Sequence, residues 1–171
     1  MKKFFVAVAA LATLLFVSCN KAPNYPSLIQ GTWDPQTIQL TITKNGKAVT
    51  AADFVAGITN AEVKQTMTEL FNRFTKQQEA KGATITFQDG KISASGTILP
   101  IAPHEGEYTI SGSTLTVKAD GETASFTIES LTSSNLSLTF DPEKIPGYKP
   151  EIASETLEGY NYTMTINFTK K

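Results

Sequence analysis

The sequence predicts a mainly β fold: one eight-stranded antiparallel up-and-down barrel with a helical insertion between its first and second strands. Three observations lead there. Apolar and polar residues alternate with period two through most of the chain after residue 37, the pattern of strands with one buried and one wet face. Turn residues that tolerate positive φ, at Asp89-Gly90, Gly112 and Asp120-Gly121, join successive runs over short distances. Residues 50–81 alone switch to three- and four-residue spacing. Eight sequential strands joined by local turns favour closure into a barrel, which removes exposed edges; a two-sheet sandwich is the rival arrangement.

The first element is an address. Met1-Lys2-Lys3 precedes an apolar run over residues 4–17, and Ser18 and the only cysteine, Cys19, follow it. A positive start, a short apolar core and small residues at the exit make an export signal. The run is shorter than the roughly 20 apolar residues of a membrane-spanning helix. Leu15-Phe16-Val17-Ser18-Cys19 resembles the lipobox of bacterial lipoproteins, although Phe16 stands where that family usually has Leu. The resemblance implies removal of residues 1–18 and acylation of Cys19, with palmitate among the acyl chains. Each buried CH₂ contributes about 0.8 kcal/mol, and two or three chains hold a protein stably on a bilayer. Residues 19–27 then form a lipidated tether in which Pro23 and Pro26 oppose regular structure, and residues 28–171 form the barrel domain.

Strands follow in order. Ile38, Leu40 and Ile42 alternate with threonines and Gln39 in the first. Asp34-Pro35 reverses the parity between Trp33 and Ile38, which a bulge would reconcile. Residues 83–88, carrying Ile85 and Phe87, and 91–98, carrying Ile92, Ala94 and Ile98, flank Asp89-Gly90 as a tight hairpin. Tyr108 and Ile110 turn at Gly112 into Leu115 and Val117. Phe126 and Ile128, then Leu136, Leu138 and Phe140, make two more strands. Asp141-Pro142-Glu143 reads as a turn or helix start. Tyr160, Tyr162, Met164, Ile166 and Phe168 alternate along the last strand.

Within the insertion, Thr50 caps a short helix that ends near Gly57. Thr59 and Glu62 have capping-box spacing for a second helix over residues 61–81, with Gly82 as a left-handed stop. Val63, Met67, Leu70, Phe71 and Phe74 give it one apolar stripe. The stripe either seals the core at one end of the barrel or lies as a lid over a ligand cavity.

Gly31-Thr32-Trp33 resembles the Gly-x-Trp signature of lipocalins and fatty-acid-binding proteins. The resemblance implies that Trp33 packs in the core and closes one end of the barrel. Fatty-acid-binding proteins also place a helix pair between their first two strands, in a barrel of more strands. With the acylation signal, the whole chain is similar to the lipocalin-like lipoproteins of Bacteroidetes, in which Leu/Ile-x-Gly-x-Trp follows soon after the acylated cysteine, as Leu28-Ile29-Gln30-Gly31-Thr32-Trp33 does here. Fatty-acid-binding proteins hold a carboxylate with Arg-x-Tyr on the last strand. This last strand has no arginine, and a buried carboxylate without a cation is costly. Tyr108 and Tyr162 offer neutral hydroxyls in its place, or stand as wall aromatics. Trp33, Met67, Phe71, Phe74, Tyr108, Phe126 and Tyr162 are the candidate ligand-lining residues.

Other classes find little support. The formal charge is −1, and −3 once Lys2 and Lys3 leave with the signal, with Arg73 the only arginine; phosphate-reading basic clusters are missing and no nucleic-acid partner is expected. His104, the only histidine, sits in a proline-rich loop. No Gly-x-Ser-x-Gly elbow or zinc spacing occurs, so neither catalysis, a metal nor a cofactor is expected. One cysteine allows no internal disulfide. The reading is an envelope lipoprotein, anchored in the outer membrane and facing the periplasm, whose barrel binds a small apolar or amphipathic molecule. The alternative is a filled-core structural or accessory domain of an envelope complex. Glycan capture would need exposed aromatics, which Trp33 does not supply.

Overall fold

Strand β1 (Gly31–Lys44) is the spine of the fold, and its alternation explains its length. In this computed structural model, which describes residues 24–80, 82–96, 105–145 and 159–171, it pairs antiparallel with the last strand, Tyr160–Lys170, from Trp33 opposite Lys170 to Lys44 opposite Tyr160. That pairing closes the sheet on itself. Two-residue strands β2 (Lys47–Ala48) and β3 (Gln78–Glu79) attach to β1. The remaining wall is β4 (Thr84–Gln88), β5 (Lys91–Ser95), β6 (Glu105–Ser111), β7 (Thr114–Ala119), β8 (Glu122–Leu131), β9 (Asn135–Phe140) and β10 (Tyr160–Lys170), each hydrogen-bonded to its sequence neighbour. With β1 these make a closed eight-stranded antiparallel barrel, not a sandwich. Cys19, the export segment, Ile98 and His104 lie outside the described residues.

The turns behave as their residues dictate. Asp89-Gly90 and Asp120-Gly121 both carry two consecutive positive φ angles, the geometry whose twist matches a tight hairpin. Asn45-Gly46 does the same and folds β2 back onto β1. The register of β1 on β10 shifts between Pro35 and Thr37, so Trp33 and Ile38 both reach the core across the expected bulge.

Helix α1 (Tyr25–Leu28) begins the described chain. Pro26, expected to oppose regular structure, sits in its first turn, where a missing N–H costs nothing. Helix α2 (Ala51–Phe54) starts at Thr50, whose hydroxyl accepts from the Asp53 N–H while the Asp53 carboxylate accepts from the Thr50 N–H.

Two expectations for the next helix need correction. Helix α3 (Ala61–Thr75) is capped by Asn60, not Thr59: the Asn60 Oδ1 accepts from the N–H groups of Glu62 and Val63 at 3.0 and 3.1 Å. It also stops at Thr75, well short of residue 81 and the positive-φ Gly82. The physical reason is a gap in the wall. β4 pairs with β1 only from Gly31 to Trp33, leaving the ladder groups of β1 above the bulge without a partner on that side. Extended chain at β3, with the Ala80 N–H donating to the Gln36 carbonyl at 3.0 Å, fills the part of that side from Gln36 to Ile38.

The connections define two ends. α1 and the turns at Asp89-Gly90, Gly112-Ser113 and Ser133-Ser134 lie at the lower one; α2, α3 and the turn at Asp120-Gly121 lie at the upper one.

Candidate functional site

Most of the barrel interior is a single apolar cluster built from inward positions of every wall strand and closed from below by Ile29, with Tyr25 and Leu28 packed against it. Trp33 is fully buried there and donates its indole N–H to the Ile29 carbonyl at 2.7 Å. Lys170, paired opposite Trp33, lies over the indole ring with its ammonium 5.1 Å from the centroid and donates to the Leu28 carbonyl. The Gln30 amide N–H₂ donates to the Tyr108 hydroxyl at 2.9 Å while its carbonyl accepts from the Asp89 N–H. Tyr108 in turn meets Phe87 edge-on. Burial raises the Tyr108 pKa, opposed by hydrogen bonds at Gly90 and Gln30. The lower end is therefore shut, with its polar atoms matched.

Above it lies a second, much smaller cluster. Alternation along β1 and β10 carries Ile42 and Tyr162 to the upper end, where they face each other across the closing pair of strands. Phe71 of α3 descends onto them as the one fully buried side chain of that helix, and Leu40, Val49, Ala51, Phe54 and Tyr160 pack around the three. Phe54 links the parts, its ring 5.1 Å from that of Phe71 and 6.2 Å from that of Tyr160. At the rim the Lys44 ammonium sits 4.6 Å from the Tyr160 ring centroid, and the 3-10 turn Pro142–Lys144, capped by the Asp141 carboxylate, follows β9.

The Tyr162 hydroxyl is the chemical singularity of this compartment. It is buried without a hydrogen-bond partner among the described residues. Desolvation, then the negative charge of Glu143 and then Tyr160 hold its pKa above the ordinary phenol value, so it stays a neutral donor. The covering helix is lightly held: Val63 is 49% and Leu70 39% exposed.

The model of the lipocalin-like domain family matches residues 29–138. The chain belongs to that family. A solved lipocalin-like protein from Bacteroides uniformis ATCC 8492 is similar at 14% identity and a TM-score of 0.42, covering 84% of this chain and 99% of that one. No curated protein matches.

Within this lipocalin-like barrel the seven candidate lining residues fall into separate places. Trp33, Tyr108 and Phe126 belong to the large cluster, Phe126 edge-on to Phe140 at 5.3 Å. Phe71 and Tyr162 come together in the upper compartment. Met67 and Phe74 are half-buried on α3. Phe54 is the lining residue that sequence reasoning missed; a four-residue helix gives too little periodicity to assign a face, although the Thr50 cap fixes where that helix starts. Among the described residues, no group of three His, Cys, Asp or Glu side chains is placed to hold a metal ion, and no helix is long and apolar enough to cross a membrane.

Proposed function

We propose that this lipocalin-like barrel is the folded part of a bacterial envelope lipoprotein, held at the outer membrane through acyl chains on Cys19 and facing the periplasm. There it binds a small apolar or amphipathic molecule in the upper compartment beneath α3. The observation that carries the binding reading is the division of the interior: a packed lower core, and above it a small aromatic compartment under a helix that buries one side chain fully. Sites for small molecules are mostly apolar recesses with a few placed polar groups. The role is binding, not catalysis.

The specific alternative is a filled core acting through its outer face. Burial of Phe87, Phe126, Leu138 and Phe168 in one cluster favours it for the lower barrel and confines any ligand to the upper end. Native mass spectrometry of the full chain carrying Cys19→Ala, purified without detergent, separates the two: a co-purified small molecule released on denaturation supports binding, and uniformly empty protein supports the filled core. Cys19→Ala should also move the protein from the membrane fraction to the soluble fraction. Retention with membranes would refute the lipid anchor.

A further inference from the structure

Tyr162 is 9% exposed, and its hydroxyl is buried without a partner among the described residues. A buried polar group left unmatched costs on the order of 1–3 kcal/mol, and such groups in native folds are usually matched by water, an ion or a ligand. The surroundings narrow the candidates. Ile42, Leu40, Phe54 and Phe71 make the compartment apolar. Glu143 is the negative charge that acts on Tyr162, and the rim cations Lys44 and Lys144 are both exposed and already engaged, Lys44 over the Tyr160 ring and Lys144 with the Asp141 carboxylate. An anionic head group drawn inside would lose its hydration, meet the field of Glu143 and find no buried cation. A neutral acceptor would simply take the phenol proton.

Resting on the binding reading above, we infer that Tyr162 is the polar anchor of the upper compartment and that the ligand is an uncharged amphiphile, with a hydroxyl, carbonyl or ester oxygen accepting from the Tyr162 hydroxyl and its apolar part under Phe71 and α3. Entry requires only that α3 lift. Fourteen of its fifteen residues, all but Phe71, lie at least partly in solvent and the helix is tied to the barrel chiefly through β1, so that movement disrupts little of the core.

The test uses the full chain carrying Cys19→Ala, free of detergent, with N-phenyl-1-naphthylamine as a fluorescent reporter displaced by decan-1-ol or by decanoate at pH 7.5. The expected result is displacement by decanol at lower concentration than by decanoate. Adding Tyr162→Phe should weaken decanol roughly three- to tenfold, the worth of one hydrogen bond, while leaving reporter binding and the urea midpoint unchanged or the midpoint slightly raised. Unchanged decanol affinity in Tyr162→Phe, with the reporter still bound, overturns the anchor and leaves the binding reading standing. Preference for decanoate overturns the uncharged class. A lowered urea midpoint in Tyr162→Phe would mean that the hydroxyl is already satisfied within the fold, which also overturns the anchor. Failure of reporter and decanol alike to bind removes the binding reading itself.

Discussion

At the lower end of the barrel a four-residue helix, one tryptophan and one lysine shut the interior, and Gln30 ties the neighbouring Asp89-Gly90 turn to Tyr108. At the upper end two helices with far more chain cover a cluster of only three buried side chains, Ile42, Phe71 and Tyr162, and leave a phenol unmatched. Amount of structure is thus a poor guide to closure. What differs is how much apolar surface each end removes from water, and whether its polar atoms find partners. Regions with few buried contacts open at lower free-energy cost than the global core, and mobile covers over binding sites are drawn from such regions.

The largest break in this comparison comes from Trp33→Ala. It removes a fully buried indole from the lower closure and should cost about 3–5 kcal/mol, read as a lowered urea midpoint. A loss below about 1 kcal/mol would mean that the lower end is not the stabilising one. Phe71→Ala should cost about 2 kcal/mol, because the small upper cluster offers fewer contacts to lose and α3 can collapse toward it. Amide exchange should rise along α3 while the protection of β6 to β9 holds; equal loss of protection across the barrel would show the two ends to be one cooperative unit.

The smallest effect is acidic. Hydrogen bonds from the Thr50 side chain and backbone hold the Asp53 carboxyl below its ordinary 3.8. A carboxyl depressed by folding stabilises the folded state above its ordinary value, and that contribution disappears as pH falls through the lowered one. Chemical shifts of Ala51 to Val55 should therefore be constant from pH 7 to 5 and move below pH 4, with Trp33 unaffected. Asp53→Ala should abolish the acid transition at α2.

The contrast also decides what could be read from the amino-acid order. Strands with strict alternation, such as Leu136-Ser137-Leu138-Thr139-Phe140, and turns such as Asp89-Gly90 declare themselves locally, because period and φ preference are properties of a few adjacent residues. Asn45-Gly46 carries the same turn signal, but its hairpin went unread because β2, at two residues, is too short to alternate. The end of α3 was not readable in that way. Lys76 to Ala80 is composed like helix, but the chain at Gln78 to Ala80 is recruited by the unpaired side of β1, a demand set by distant residues. Thr59 has the capping-box spacing to Glu62, but the side chain that meets the first free N–H groups is that of Asn60, one residue on. The site divides likewise. Phe71 and Tyr162 were visible as inward positions of a helix and a strand, yet nothing in the order of residues says that Tyr108 finds Gln30 while Tyr162 finds no one.

The placement of α1 has a geometric consequence. The chain enters the fold at the shut end, about six residues after Cys19, a span of at most roughly 20 Å when extended. The fourteen residues of β1, at about 3.3 Å each and with the tilt usual in barrels, put the helix-covered rim some 30 Å or more further on. A lipid on Cys19 would hold this molecule like a cup by its base, with its rim turned away from the bilayer that carries it, so that any cargo would arrive from the aqueous side or from a surface opposite and not from the leaflet underneath.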